Sequence, residues 1–316
     1  MEEICSRLRS LLSEVVARCA SKSISLSGGL DSSILAFCLN DKTVRAYAMV
    51  TRDFPSTDLV NAQLVAKLCD LRLQVVNTPI DELLEAVEQT IRILQVFNPI
   101  EIRNNVVIYL TMKHAKNDGI KSIMTGDGAD ELFAGYGFFQ RMALQELQHD
   151  LQRIWQVMHF PSRSISKSLG MRLDTPFLDE QVVEYAKSIP AELKVHQENG
   201  QKYGKWILRK AFEKLLPQSV AWGAKAAMQD GSGTQGLTGF FDGIVSDDMF
   251  SEKATRYLKK EQVRLQTKEA LYYYEIYRRY QEYPASLELS DNRCPNCCYS
   301  VKEDSHFCRM CGSFPI

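Results

Sequence analysis

Two short stretches carry residue types that could do chemistry on a phosphorylated substrate. The first is Ser27-Gly28-Gly29-Leu30-Asp31-Ser32, which follows the apolar positions Ile24 and Leu26 and precedes a helical pattern at Ile34, Leu35, Phe37 and Cys38. A strand that stops, turns on two glycines and opens a helix aims free backbone N–H groups at the turn, which suits an anion. The serines add hydroxyl donors, and Asp31 can hold a cation that bridges phosphate oxygens. The second stretch is Gly126-Asp127-Gly128-Ala129-Asp130-Glu131-Leu132-Phe133-Ala134-Gly135-Tyr136, after the apolar run 120–125. It repeats the plan of strand, glycine turn and acidic helix start. Asp127 and Asp130, facing Asp31 across adjacent strand ends, would form a magnesium site for a triphosphate, since magnesium usually takes one or two carboxylates beside phosphate oxygens. Helix capping by Asp127 or Asp130 is the plainer reading, and it is compatible with metal binding.

A third constellation lies at the end of the sequence. Cys294-Pro295-Asn296-Cys297 and Cys308-Arg309-Met310-Cys311 are two C-x-x-C knuckles with ten residues between them. Four thiolates in this arrangement form a closed tetrahedral zinc site of structural type, and the segment resembles a small zinc ribbon. So short a piece should fold only with its metal. Cys298 stands where such knuckles usually have glycine, and His306 is nearby; either is a spare ligand, or Cys298 simply tolerates the turn. The ribbon would grip RNA or protein, or brace a neighbouring domain. Its Arg293, Lys302 and Arg309 against Glu303 and Asp304 leave the charge argument open.

The elements that must position these residues alternate. Ile4, Leu8, Leu11, Leu12, Val15 and Val16 give an amphipathic helix over 1–20. Val44–Val50 and Leu71–Val76 read as strands, and 80–97 and 102–116 as helices, the latter carrying Arg103 near its start. Strands alternating with helices predict an α/β fold, a parallel sheet with helices on both faces, whose ligands sit at the carboxyl ends of the strands. Of the 316 residues 45% are hydrophobic and 24% charged, ordinary values for a globular chain. The net charge of −1 gives no electrostatic case for non-specific nucleic-acid binding. No run approaches the roughly 18 apolar residues of a membrane span. Nine cysteines, five of them in the tail, read as reduced thiols plus a metal site in a cytoplasmic protein with no membrane partner.

The first loop lacks the lysine of a Walker A motif. It resembles instead the pyrophosphate loop of the ATP pyrophosphatases. SGGLDSS together with GDGADELFAGY closely resembles the synthetase domain of the asparagine synthetase family. The likeness continues through Thr175-Pro176-Phe177-Leu178-Asp179, through Gly204-Lys205-Trp206-Ile207-Leu208-Arg209, through Leu216-Pro217 to Lys225 and Asp230-Gly231-Ser232-Gly233, and through Thr267 to Tyr272. It covers roughly residues 10–280. It implies an adenine nucleotide alpha-hydrolase-like fold with a helical C-terminal half, and a domain plan of 1–283 for the ATP pyrophosphatase domain, 284–293 for a linker and 294–316 for the zinc ribbon.

The resemblance also implies residue roles. ATP would bind through Leu26, Met49, Thr125 and Gly126 at its adenine end and through Ser27, Gly28, Gly29, Asp31 and Ser32 at its phosphates. Asp31 and Asp130 would hold Mg2+. A substrate carboxylate would attack the α-phosphorus, and ammonia or an amine would then displace AMP from the acyl carbon. Lys225, in the mobile-looking stretch 223–236, would stabilise the developing negative charge, with Lys205 and Arg209 as weaker candidates; Arg103, either a surface charge or a functional group by residue type, is a further catalytic candidate. Asp127 would orient or deprotonate the amine.

Three departures bear on the substrate. No segment here corresponds to the family's glutamine-hydrolysing domain, so the amine is expected from free ammonia, another molecule or a separate glutaminase. The family's E-x-R is reversed in sign as Arg172 and Asp174: this either changes the acyl pocket or, if the two pair together, leaves it alone. The lysine loop also resembles that of the β-lactam synthetases. The expected activity is thus an ammonia-dependent, AMP-forming amide ligase of asparagine-synthetase type. An enzyme acting on a carboxylate or base of RNA or protein, and a non-catalytic ATP-binding adaptor, are the alternatives.

Overall fold

A computed structural model describes residues 1–198, 200–223, 228–287, 292–303 and 305–316. The chain forms two compact units. One comprises Met1–Met49, Thr57–Val76 and Thr111–Ala227; the other comprises Val50–Ser56, Asn77–Leu110 and Met228–Ile316.

The first unit is organised by a five-stranded parallel sheet: β1 (Ser23–Ser25), β2 (Arg45–Thr51), β3 (Arg72–Thr78), β4 (Ser122–Met124) and β5 (Arg172–Asp174), in the order β3-β2-β1-β4-β5. Ile24 pairs with Ala46 on one side and with Met124 on the other. The chain therefore leaves β1 toward one edge and returns as β4 on the opposite flank. That reversal opens a crevice beyond the carboxyl ends of β1 and β4, the usual ligand position in such sheets. Helix α1 (Glu2–Arg18) buries Cys5, Leu8, Leu11, Leu12, Val15 and Val16, as its spacing predicts. Each such side chain contributes about 1.5–3 kcal/mol by burial. Helix α2 (Leu30–Cys38) starts directly after the first loop and buries Ile34 and Leu35, and α3 (Asp58–Leu68) follows β2.

An antiparallel hairpin, Val195–Glu198 with Gln201–Gly204, had no counterpart in the sequence reading. Its strands are Val-His-Gln-Glu and Gln-Lys-Tyr-Gly, without the apolar alternation that marks a half-buried strand. It ends at Lys205, which caps the helix Trp206–Phe212.

The second unit is helical, apart from its ribbon. It includes α4 (Ile80–Leu94), the first part of α5 (Pro99–Asn117), and helices Gly236–Ile244, Asp247–Glu261 and Lys268–Tyr280. The expected helix over 80–97 stops early because Gln95 adopts a left-handed conformation, φ 56°. The helix expected from Ile102 starts earlier, where Asn98 Oδ1 accepts the N–H of Ile100 at 3.1 Å. Phe97 packs edge-on against Tyr274 with centroids 4.8 Å apart, and lies 5.4 Å from the Tyr277 ring. The ribbon cysteines belong to this unit. Pro284–Ser286 forms a short 3-10 turn, and residues 288–291 of the expected linker lie outside the described residues. No described helix is long and apolar enough to cross a membrane.

Candidate active site and metal centre

In the first unit the two glycine loops lie side by side, because β1 and β4 pair directly. Gly126 packs so closely on Asp31 that a Cβ there would lie 3.0 Å from the Asp31 Cβ. Ser27 Oγ lies 3.2 Å from Ser32 Oγ and accepts the Gly29 N–H at 3.2 Å. Gly29 caps α2 without a side-chain bond, so the positive end of that helix faces the loop. Leu26 is fully buried in the core, and Met49 is 5% exposed. Thr125 Oγ1 donates to Asp127 Oδ2 at 3.0 Å.

Asp31 and Asp130 converge on one cation, and that cation is Lys205. Its Nζ lies 2.5 Å from Asp31 Oδ2 and 2.7 Å from Asp130 Oδ1, with the lysine side chain only 6% exposed. Burial alone would lower the lysine pKa, but the Asp130 and Asp31 charges outweigh it and hold the ammonium above the ordinary lysine value. Lys205 has φ 54°, a left-handed conformation that is costly for a residue with a Cβ, and its backbone N–H is fixed on Phe133 O at 3.0 Å. Gly135 is required beside it: a Cβ there would collide with the Asp130 carboxylate and with the Lys205 side chain. Two carboxylates and one ammonium leave a net charge of −1. A hard cation with oxygen preference fits such a donor set, so Mg2+ is chemically compatible with Asp31 and Asp130.

Asp127 faces different neighbours. It accepts from Thr125 and from the Ser162 hydroxyl, and burial raises its pKa against the lowering effect of those two bonds. A carboxylate so raised is a better proton acceptor than an exposed one. Arg209 is spent on structure, donating to the carbonyls of Gly204, Ala221 and Gly223 at 3.0, 2.8 and 3.2 Å. The sign-reversed pair is also internal: Arg172 Nη2 lies 3.1 Å from Asp174 Oδ1, and Ser21 Oγ donates to Asp174 Oδ2 at 2.7 Å. Lys225 lies outside the described residues.

In the second unit Arg103 is no surface charge. Only 6% exposed, it places Nη1 2.5 Å from Glu269 Oε2 and donates to Gln229 Oε1 at 2.7 Å and Thr238 Oγ1 at 2.9 Å. The backbone carbonyl of Arg103 accepts from Thr234 Oγ1 at 3.0 Å. The described end of the stretch expected to be mobile is therefore packed. Ser232 and Thr234 are buried, and Thr51 Oγ1 donates to Ser232 O at 3.2 Å. Glu269 was missed as a partner because it lies 166 residues from Arg103 and reads locally as an ordinary acidic helix start.

Four of the five tail cysteines, Cys294, Cys297, Cys308 and Cys311, form one cluster, with their Sγ atoms within 4.8 Å of one another. Cys294–Cys311 and Cys297–Cys308 are each 3.6 Å apart. Zn–S bonds of about 2.3 Å at tetrahedral angles require sulfur separations of about 3.8 Å, so the cluster is sized for zinc. The knuckles repeat each other. Cys298 N–H reaches Cys294 O at 2.9 Å and Gly312 N–H reaches Cys308 O at 2.8 Å. Cys298 and Gly312 both have positive φ, 56° and 83°, so Cys298 is the turn residue and stands outside the ligand set. His306 is exposed and also outside it.

A glycine turn from strand to helix, two acidic residues at adjacent strand ends and a buried lysine between them lie together at the switch point of a parallel sheet, where such folds place their ligands. The family model for asparagine synthase matches residues 7–173 and 143–290. The chain is 31% identical over 278 residues to the glutamine-hydrolysing asparagine synthetase of Gallus gallus, covering 81% of this chain and 48% of that protein. It is 30% identical over 283 residues to the Rattus norvegicus enzyme, covering 83% and 49%. A putative asparagine synthetase of Methanocaldococcus jannaschii is 30% identical over 248 residues, covering 66% and 45%. The chain thus spans about half the length of the curated relatives it matches. Among solved structures, NMN synthetase from Francisella tularensis aligns with 92% of this chain and 98% of its own at 13% identity and a TM-score of 0.39. The chain belongs to the asparagine synthase family.

Proposed function

We propose that this chain is an ATP-dependent amide ligase that forms AMP and pyrophosphate through an acyl-adenylate, with aspartate and ammonia as the leading substrates. The observation that carries this reading is the convergence of Asp31 and Asp130 on one cation, next to the exposed positive end of α2. The first-turn N–H groups with Ser27 and Ser32 would hold the triphosphate, with adenine near Leu26, Met49, Thr125 and Gly126. Asp31 and Asp130 would hold Mg2+, which supplies charge neutralisation of the phosphate oxygens. A carboxylate oxygen attacks the α-phosphorus and the bond to pyrophosphate breaks. The amine nitrogen then attacks the acyl carbon, its proton passes to Asp127 and AMP leaves. Lys225 and Arg103 are the cations assigned to the negative charge that develops. The mutual pairing of Arg172 and Asp174 supports treating their sign reversal as neutral to the acyl pocket.

The experiment is product analysis with ATP, ammonium and a panel of acids. Equimolar AMP, pyrophosphate and asparagine with aspartate are expected; ADP and phosphate would overturn the reading. A second reading keeps the adenylation chemistry but takes its carboxylate from RNA or protein presented by the ribbon. Exposed Phe307 and Phe314, at 42% and 73%, favour it. AMP release only on addition of a macromolecule would select it. A separate glutaminase as ammonia source would show itself by glutamine-dependent turnover on mixing.

A further inference from the structure

The ribbon's two knuckles hold different parts of the second unit. In the knuckle Cys308–Gly312, Arg309, Met310 and Gly312 are tied to the entry of α5. Arg309 forms a forked ion pair with Glu101, with Nε 3.0 and 3.1 Å from the two carboxylate oxygens and Nη2 2.6 Å from Oε1. Met310 is buried, and its carbonyl accepts the Phe97 N–H at 2.9 Å. Gly312, with φ 83°, presses on Asn98, and a Cβ there would lie 2.5 Å from Asn98 Oδ1. Asn98 in turn accepts the N–H of Ile100. Arg103 is two residues beyond Glu101 on the same helix.

The knuckle Cys294–Cys298 holds the loop that leads into the Lys268–Tyr280 helix. Asn296 O accepts the Arg264 N–H at 2.6 Å, and Cys298 Sγ lies 3.6 Å from Gln262 Oε1. Five residues beyond Arg264, that helix supplies Glu269, the buried partner of Arg103. A cavity of about 300 Å³ lies between these parts, lined by Asn98, Arg103, Arg264, Thr267, Glu269 and Gly312 among others.

We propose that the metal-loaded knuckle pair is a clamp that positions Arg103 against Glu269 and shapes this cavity, with Arg309 and Glu101 as positioning residues. One knuckle fixes the segment carrying the arginine and the other fixes the segment carrying the carboxylate. Asn296 Nδ2 donates to Ser313 Oγ at 2.8 Å from one knuckle to the other, but so small a cysteine-rich segment has no core of its own, and the metal supplies the rigid joint. The clamp does not depend on the identity of the substrate; its effect on turnover rests on the role proposed above for Arg103.

Hydrogen exchange read by mass spectrometry on the full chain tests this. Four states are compared: reduced zinc-loaded protein, protein stripped by a chelator, Arg309→Gln and Arg309→Lys. Stripping is expected to speed exchange roughly tenfold or more over residues 97–106 and 262–272, while strands β1 and β4 stay protected. Arg309→Gln, still holding one zinc per chain, should loosen 97–106 alone and lower kcat with little change in the KM for ATP. Arg309→Lys should recover part of both. Unchanged protection of 97–106 in stripped protein whose ribbon exchanges freely would overturn the clamp. Lost protection with full turnover would leave the clamp standing and remove Arg103 from the reaction.

Discussion

Lys194 and Lys205 are both buried in the first unit, yet their surroundings are opposite. Lys194 is fully buried, with Nζ 4.4 Å from the Trp155 ring centre and without a hydrogen-bond partner among the described residues; burial drives its pKa down to about 7. Lys205 is as deeply placed but sits between Asp31 and Asp130, and its pKa is raised. The same side chain is thus a poorly tolerated cation in an apolar pocket and a firmly held one at the loop crevice. The difference is the pair of carboxylates, which exceeds the needs of one lysine by a full charge. On the function proposed above, that surplus is what a further cation would neutralise, whereas the Trp155 pocket offers no carboxylate to Lys194.

The largest effect should come from breaking the carboxylate pair. Asp31→Ala or Asp130→Ala is expected to lower ATP–pyrophosphate exchange by about 10²–10³-fold with the fold retained by circular dichroism. Removing the lysine tests the other side of the balance. Lys205→Met leaves two facing carboxylates without their ammonium and should cost about 3–5 kcal/mol in urea unfolding at neutral pH, with part recovered on adding Mg2+. Lys194→Met should do the reverse and stabilise by about 2 kcal/mol, the cost of a depressed pKa less the lost ring contact. The sign follows from the pKa: the unfolded lysine titrates at 10.5 and the folded one at about 7. The penalty removed is therefore complete below about 7 and fades as pH rises to 10.5. A gain that grew with pH would reject this. The smallest effect isolates the backbone. Lys205 and Cys298 share the left-handed region, at φ 54° and 56°. Cys298→Gly, which removes no charge and no zinc ligand and gives up only the Sγ contact to Gln262, should raise the thermal midpoint by the equivalent of about 0.5–1 kcal/mol.

What the sequence made legible was chemistry compressed into short stretches. The Ser27–Ser32 loop, the Gly126–Gly135 turn and the two C-x-x-C knuckles each carry their donors within a dozen residues, and the short-range periodicity around them marks β1 to β4 and α1, while the three-residue edge strand β5 carries no such signal. What stayed hidden was the closing of contacts across the chain. Lys205 is 174 residues from Asp31 and arrives on a hairpin whose polar strands carry no period. The Arg103–Glu269 pair spans 166 residues, and the residues after Lys225 look mobile by composition although Ser232 and Thr234 are buried. Arg172 and Asp174 lie two residues apart on one strand, where side chains share a face; whether they pair together or reach a ligand depends on neighbours such as Ser21 that only the fold supplies.

The most direct test of the surplus-charge account is calorimetric titration of ATP, with and without Mg2+, into the wild-type chain and into the Asp31→Asn and Asp130→Asn variants. The account predicts binding that strengthens strongly with Mg2+ in the wild type and loses most of that dependence in either variant. Equal affinity in all three proteins, or binding indifferent to Mg2+, would contradict it.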